Sequence, residues 1–160
     1  MATPDEKALD KADLKFMVQA LKEAEKAQEK GEVPVGAVIV LDGKAVSRGH
    51  NTKETTDDPT AHAEIITLKK AAKKLNSWRL LGSTLYVTLE PCLMCMGAII
   101  QARVARLVIA TMDPKAGACG SLYDISADRR LNHLVEVKKG VMKNEASNLL
   151  KGFFKRLRQK

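Results

Sequence analysis

The stretch TLYVTLEPCLMCMGAI, Thr84–Ile99, decides the fold. Thr84 to Leu89 is a short run rich in apolar and β-branched residues and reads as a buried strand. Pro91 suits the first turn of a helix, which then carries Leu93, Met94, Met96, Ala98, Ile99 and Ile100 around most of its circumference. A strand leading straight into a helix is the unit from which layered α/β proteins are built.

Working outward, the same alternation continues. Upstream, Thr60 precedes AHAEIITLKKAAKKL, where Ile65, Leu68, Ala72 and Leu75 mark one helical face and Lys69, Lys70, Lys73 and Lys74 lie elsewhere. Before that, the run VPVGAVIVL from Val33 to Leu41, then Asp42-Gly43, then Lys44 to His50 predict a β-hairpin. After a polar start, Leu14, Met17, Val18, Leu21 and Ala24 fall at helical spacing, with Gly31 placed to end that helix. Downstream, Leu107 to Ala110 reads as a strand, and residues 111 to 133 as mostly loop with room for a short helix. Val135 to Val137 is a candidate last strand. A final helix over about 142–159 carries Met142, Ala146, Leu149, Leu150, Phe153 and Leu157 on one stripe. At about 100° per residue, Phe153 falls at the stripe's centre and is expected in the core. Phe154 falls at its edge, either packing at the border or stacking near a nucleotide. Lys151, Lys155 and Arg158 are expected on the opposite side.

A chain of 160 residues, 45% apolar and without an evident linker, is expected to form one domain over 1–160. No apolar run approaches the roughly 20 residues that span a bilayer. Met1 to Leu14 is charged and lacks the apolar segment of a signal peptide, so a cytoplasmic location is expected. The net charge of +8 is concentrated late, because Lys138 to Lys160 holds eight basic residues against one acid, Glu145. Such a run is either a solvated face or the footprint of a phosphate-rich partner.

The chemistry-bearing residues sit where helices begin: His62-Ala63-Glu64 at one, Pro91-Cys92-Leu93-Met94-Cys95 at the next. Cysteines at i and i+3 share a helix side, and a helix N-terminus favours the thiolate that zinc requires. Taken alone, a C-x-x-C pair is also compatible with redox chemistry or plain burial. One His and two Cys together offer three ligands and leave a fourth tetrahedral position for water, which separates a catalytic zinc site from a closed structural one. On an ideal helix Glu64 points about 200° away from His62, so both can flank a metal only if it lies off the helix end. Glu64 is then a proton carrier and not a ligand.

H-x-E followed by P-C-x-x-C resembles the signature of the zinc-dependent nucleoside and nucleobase deaminases. The similarity extends through EVPVGAVIV (Glu32–Val40), GHN (Gly49–Asn51), DPTAHAE (Asp58–Glu64), the Thr84–Ile99 stretch, DPKAGACGSLYD (Asp113–Asp124), LNH (Leu131–His133) and FFKRLR (Phe153–Arg158). Within that superfamily the chain resembles the bacterial tRNA adenosine deaminases. The resemblance implies a cytidine deaminase-like fold, a three-layer α/β/α sandwich around a central mixed sheet of about five strands. It implies hydrolytic deamination of adenosine to inosine at the wobble position of a tRNA anticodon stem-loop, with one Zn2+ per chain held by His62, Cys92 and Cys95 and with Glu64 as proton shuttle. It further implies substrate contacts from Asn51, Ala63, Asp113, Lys115 and Phe154, RNA backbone contacts from Lys151, Lys155 and Arg158, and a homodimer. Asn51 is otherwise a turn residue, and Asp113 and Lys115 ordinary loop charges. Cys119 is expected to be a free thiol, and His50 and His133 structural. A deaminase of free cytosine or guanine shares every zinc residue, and the basic terminal helix counts against it. A non-catalytic zinc-stabilised nucleic-acid-binding module gives Glu64 no task.

Overall fold

The computed structural model describes residues 1–160. Helix α1 (Pro4–Glu29) leads into the hairpin of β1 (Gly36–Leu41) and β2 (Lys44–His50). The short α2 (Lys53–Thr56), α3 (Ala63–Leu75), β3 (Thr84–Leu89), α4 (Leu93–Gln101), β4 (Arg106–Thr111), β5 (Glu136–Lys139) and α5 (Lys143–Arg158) follow. The strands form one mixed sheet in the order β2-β1-β3-β4-β5, antiparallel on the β1 side and parallel from β3 to β5.

The two-residue period of the strands sorts their side chains into two cores. Ala37, Ile39, Leu85, Val87, Leu107 and Ile109 face α3 and α4, where Ala63, Leu68, Met96 and Ile99 complete one apolar cluster. Val38, Val40, Tyr86, Val108 and Ala110 face the other way and meet Phe16, Met17, Ala20 and Leu21 of α1 and Ala146 of α5. This is the three-layer α/β/α sandwich with a five-stranded mixed sheet. Helix α1 lies so close to β1 that a Cβ on Gly36 would overlap the Ala20 carbonyl oxygen.

Several boundaries differ from the sequence expectation. The first strand begins at Gly36, not Val33, because Pro34 has no N–H to give the ladder. Helix α1 begins at Pro4, closed by a capping box between Thr3 and Glu6; its first turns lie exposed and carry no apolar periodicity. Helix α3 begins only at Ala63, because the Asp58 carboxylate accepts the Thr60 N–H and hydroxyl in a turn that keeps Thr60 out of the helix. Pro91 precedes the N-cap, Cys92, and does not occupy the first turn of α4. The loop 112–135 contains no helix. Phe153 is half-buried, not core, and of α5 only Ala146 is fully buried.

Candidate active site

The C-terminal ends of β3 and β4, the N-termini of α3 and α4 and the segment after β2 converge on one cavity of about 160 Å³. Glu32, Asn51, His62, Glu64, Glu90, Cys92 and Asp113 are among its lining residues. In open α/β sheets ligands bind at the carboxyl ends of the strands, and the position here follows that rule.

His62 and Cys92 are the N-cap residues of α3 and α4, both with extended backbone, so their side chains leave the helix axis and turn towards each other. Nδ1 of His62 lies 3.7 Å from the Cys92 Sγ and 3.5 Å from the Cys95 Sγ. The three ligand atoms all lie within 4.8 Å of one another, and no other His, Cys, Asp or Glu joins the cluster. Zinc bonds of about 2.3 Å to sulfur and 2.0 Å to nitrogen give a tetrahedron with N···S edges of about 3.6 Å, which the two observed N···S distances match. Both helix N-termini also direct their positive ends at the two sulfurs.

The electrostatics agree with this layout. The Cys92 thiol is drawn down to about 4, first by the hydrogen bond from Cys95 and then, against burial, by that from His62. The same pairing pushes the Cys95 thiol up, and the hydrogen bond to Cys92 raises His62. Glu64, one residue into α3 and 4% exposed, is pushed up by burial to about 7. A carboxyl poised there can both accept and donate a proton near neutral pH.

Asn51, immediately after β2, accepts the Ala63 N–H on Oδ1 at 2.8 Å. Because a backbone N–H only donates, the oxygen is fixed on that side and the amide group is left as donor on the other. Ala63 itself is fully buried and is absent from the cavity wall, so its part in the site is this N–H. His50 is held between Glu23 Oε2 at 2.9 Å and Lys30 Nζ at 3.1 Å, while the His133 ring bonds the Val104 carbonyl at 2.7 Å, which accounts for both outside the cavity. Cys119 is a free, buried thiol apart from the ligand triangle.

A larger cleft of about 660 Å³ shares Val33, Leu89 and Asp113 with the cavity, so the two are contiguous. It adds Lys115, Lys151, Phe154 and Arg158, bringing together the loop after β4 and one side of α5. Phe154 is 40% exposed and borders the cleft. Lys155 does not line it. Lys151 and Arg158 therefore stand beside Leu150 and Phe154, not across the helix from an apolar stripe. The Asp113 carboxylate is turned into its own loop, accepting the N–H groups of Lys115 and Ala116.

Two buried residues were invisible to the sequence reading. Glu32 and Glu90 line the cavity and hold loops around it through several hydrogen bonds each. Their only sequence signal is an acid directly beside an apolar run, before VPVGAVIV in one case and after TLYVTL in the other.

The MafB19-like deaminase family model matches residues 11–158. A tRNA-specific adenosine deaminase of Bacillus subtilis (strain 168) is 48% identical over 145 residues, 91% of this chain and 90% of that protein. One from Haemophilus influenzae is 49% identical over 148 residues, 92% of this chain and 86% of its own length. A solved structure from work on A-to-I editing by tRNA:A34 deaminases at the wobble position of transfer RNA superposes with a TM-score of 0.82 and 44% identity, covering 84% of this chain and 98% of that one.

Proposed function

This chain belongs to the MafB19-like deaminase family, and from that footing we propose how it carries out its reaction. It is a tRNA-specific adenosine deaminase that hydrolyses adenosine to inosine at the wobble position of the anticodon. The observation that carries the mechanism is the triangle of His62, Cys92 and Cys95 at a cavity that Glu64 and Asn51 also line.

His62, Cys92 and Cys95 would hold one Zn2+, which when bound would supply the Lewis acidity that makes a water molecule nucleophilic at neutral pH. Glu64 takes one proton from the attacking water and delivers it to N1 of adenine as the water oxygen adds to C6. The same carboxylate then takes the proton of the new C6 hydroxyl and passes it to the amino group, the C6–N6 bond breaks as C6=O forms, and adenosine and water give inosine and ammonia. Asn51 donates from its fixed amide to the nucleoside, and Ala63 orients Asn51 through its N–H. A base inside a stack cannot reach a cavity of this size, so the adenosine enters flipped from its loop. Flanking nucleotides of the anticodon stem-loop occupy the contiguous cleft, with Lys115, Phe154, Lys151 and Arg158 meeting bases and phosphates. Lys155 is then a more distant electrostatic contributor.

The chain acts as one deaminase domain over 1–160, in the cytoplasm, and as a homodimer. No helix is long and apolar enough to cross a membrane. Leu93 and Met94 stay exposed on α4, and the neighbouring loop exposes Leu122 and Tyr123, which supplies an apolar face for a second copy. Ammonia release from adenosine-containing tRNA, cytosine and guanine tests the substrate assignment. Release from the tRNA alone is expected; turnover of a free base with tRNA inert would overturn it.

A further inference from the structure

Besides Glu64, two further buried carboxylates in the cavity wall, Glu32 and Glu90, have no part in the proton chemistry. Glu90 is 2% exposed and joins the end of β3 to the Cys92 helix. Its Oε1 accepts the Asp113 N–H at 2.9 Å and the Ser121 hydroxyl. Its Oε2 accepts the N–H groups of Cys119 at 2.9 Å and Ser121 at 3.0 Å. An ionised carboxylate is acceptor-only and offers about four lone-pair sites, so this one is saturated by the loop 113–121 and has none left for a substrate. That loop in turn supplies Asp113 and Ala116 to the cavity wall. Gly117 packs so closely that a methyl group there would overlap the Glu90 carboxylate. Glu32, 1% exposed, holds another part of the wall in the same manner. It accepts the N–H groups of Glu54 at 3.0 Å and Thr55 at 2.6 Å and the Thr55 hydroxyl, pinning the short α2 that contributes Lys53 and Glu54.

We propose that Glu90 and Glu32 are positioning residues of the nucleoside pocket, each fixing one segment of its wall so that the opening is shaped before RNA arrives. The proposal rests on reading this cavity as the adenosine site. Preorganised walls spare the ordering entropy that binding would otherwise incur, so the two residues act on capture of the flipped nucleotide more than on chemistry. A carboxylate is required because every neighbour at Glu90 is a donor. In Glu90→Gln the amide nitrogen is best placed at the Oε1 position, where the Ser121 hydroxyl can reverse and accept. The Asp113 N–H then loses its acceptor and the edge of the loop nearest the cleft is released. Side-chain volume and the three zinc ligands are unchanged.

The test measures steady-state kinetics on tRNA, zinc stoichiometry and amide hydrogen exchange for the full-length holoenzyme and for Glu90→Gln, Gly117→Ala and Glu32→Gln. For Glu90→Gln, KM is expected to rise about tenfold, the scale of one lost charge-assisted hydrogen bond, with kcat falling less than about threefold. Zinc stays near one per chain, and faster exchange is confined to residues 113–121. Gly117→Ala reproduces this pattern because its methyl displaces the carboxylate, so the proposal stays testable if Glu90→Gln folds poorly. Glu32→Gln raises KM with faster exchange confined to the segment around α2. Unchanged KM and unchanged exchange in Glu90→Gln and Gly117→Ala would overturn the proposal. A loss in kcat alone would overturn it too, as would faster exchange throughout the chain, which marks a general structural role. A wild-type enzyme inert on tRNA would instead refute the functional reading, and the exchange measurements would still decide whether the two carboxylates hold these loops.

Discussion

Replacing Asp13 by alanine removes the charge at the centre of a buried network that fastens α1 to the sheet. Asp13 is 1% exposed and accepts from the Tyr86 hydroxyl at 2.7 Å, from Arg106 Nη1 and Nη2 at 2.8 and 2.7 Å, and from Lys138 Nζ at 2.9 Å. Breaking one side of a buried ion pair costs about 3–5 kcal/mol, because the remaining charge is left uncompensated. Lys138 keeps Asp10 as a second partner and can turn to water, whereas Arg106 retains only the exposed Glu136 at 3.8 Å, which places the loss near about 3 kcal/mol at the lower end of that range. For a chain of this length Tm should fall by roughly 10 °C. Burial alone would raise the Asp13 carboxyl; the hydrogen bonds from Arg106, Lys138 and Tyr86 outweigh it and hold it at about 2, below its ordinary 3.8. A depressed carboxyl stabilises the fold above its unfolded value and loses that contribution as pH falls through its folded value. The linked stabilisation, at most about 2 kcal/mol, is therefore complete above about pH 4 and disappears towards pH 2. Urea unfolding of both proteins from pH 7 to pH 3 measures the gap. Zinc content and tRNA deamination at 25 °C should be preserved, since Asp13 does not line the cavity. A loss below about 1 kcal/mol, or a gap that already closes near neutral pH, would refute the reasoning.

Three further outcomes follow from the same geometry. Cys92→Ala should lower zinc from about one per chain to a small fraction, measured by atomic absorption after gel filtration, because two ligands do not make a catalytic site. Replacing Lys151, Lys155 and Arg158 together by Gln should leave zinc content intact, weaken tRNA binding and flatten the log–log salt slope by roughly 1 to 2, since two of the three border the cleft. An unchanged slope in a salt series would place the RNA elsewhere. Sedimentation at micromolar concentration should give twice the 17.5 kDa chain mass, and Leu93→Asp with Met94→Asp should shift it to the single chain.

The strands β2 and β3 were legible to the residue: the Asp42-Gly43 turn marks where β2 begins, and the continuous apolar, β-branched run of Thr84–Leu89 marks a strand buried on both faces. Helix ends were less so. The first turns of α1 pack on nothing, so they carry no apolar stripe for a periodicity argument to find, and only the Thr3 and Glu6 cap marks them. The short α2 has no buried residue and exists because Glu32, distant in sequence, accepts its N–H groups. For the site, His62, Cys92 and Cys95 were readable from residue type and spacing, and the structure brings them together. The roles of Glu90 and Glu32 depend on which loops fold back over them, which no local pattern encodes. Phe153 was misplaced because helical periodicity shows which face is apolar and not how completely that face is covered.

The most direct test of the account compares wild type with Glu64→Ala, measuring inosine at the wobble position of tRNA and zinc in the same preparations. Glu64 is not among the clustered ligand residues, so wild type and variant should both carry about one zinc per chain. It should nevertheless form inosine at least about a hundredfold more slowly, the scale of a removed general acid–base group. Near-normal inosine formation by a zinc-replete Glu64→Ala enzyme would contradict the account.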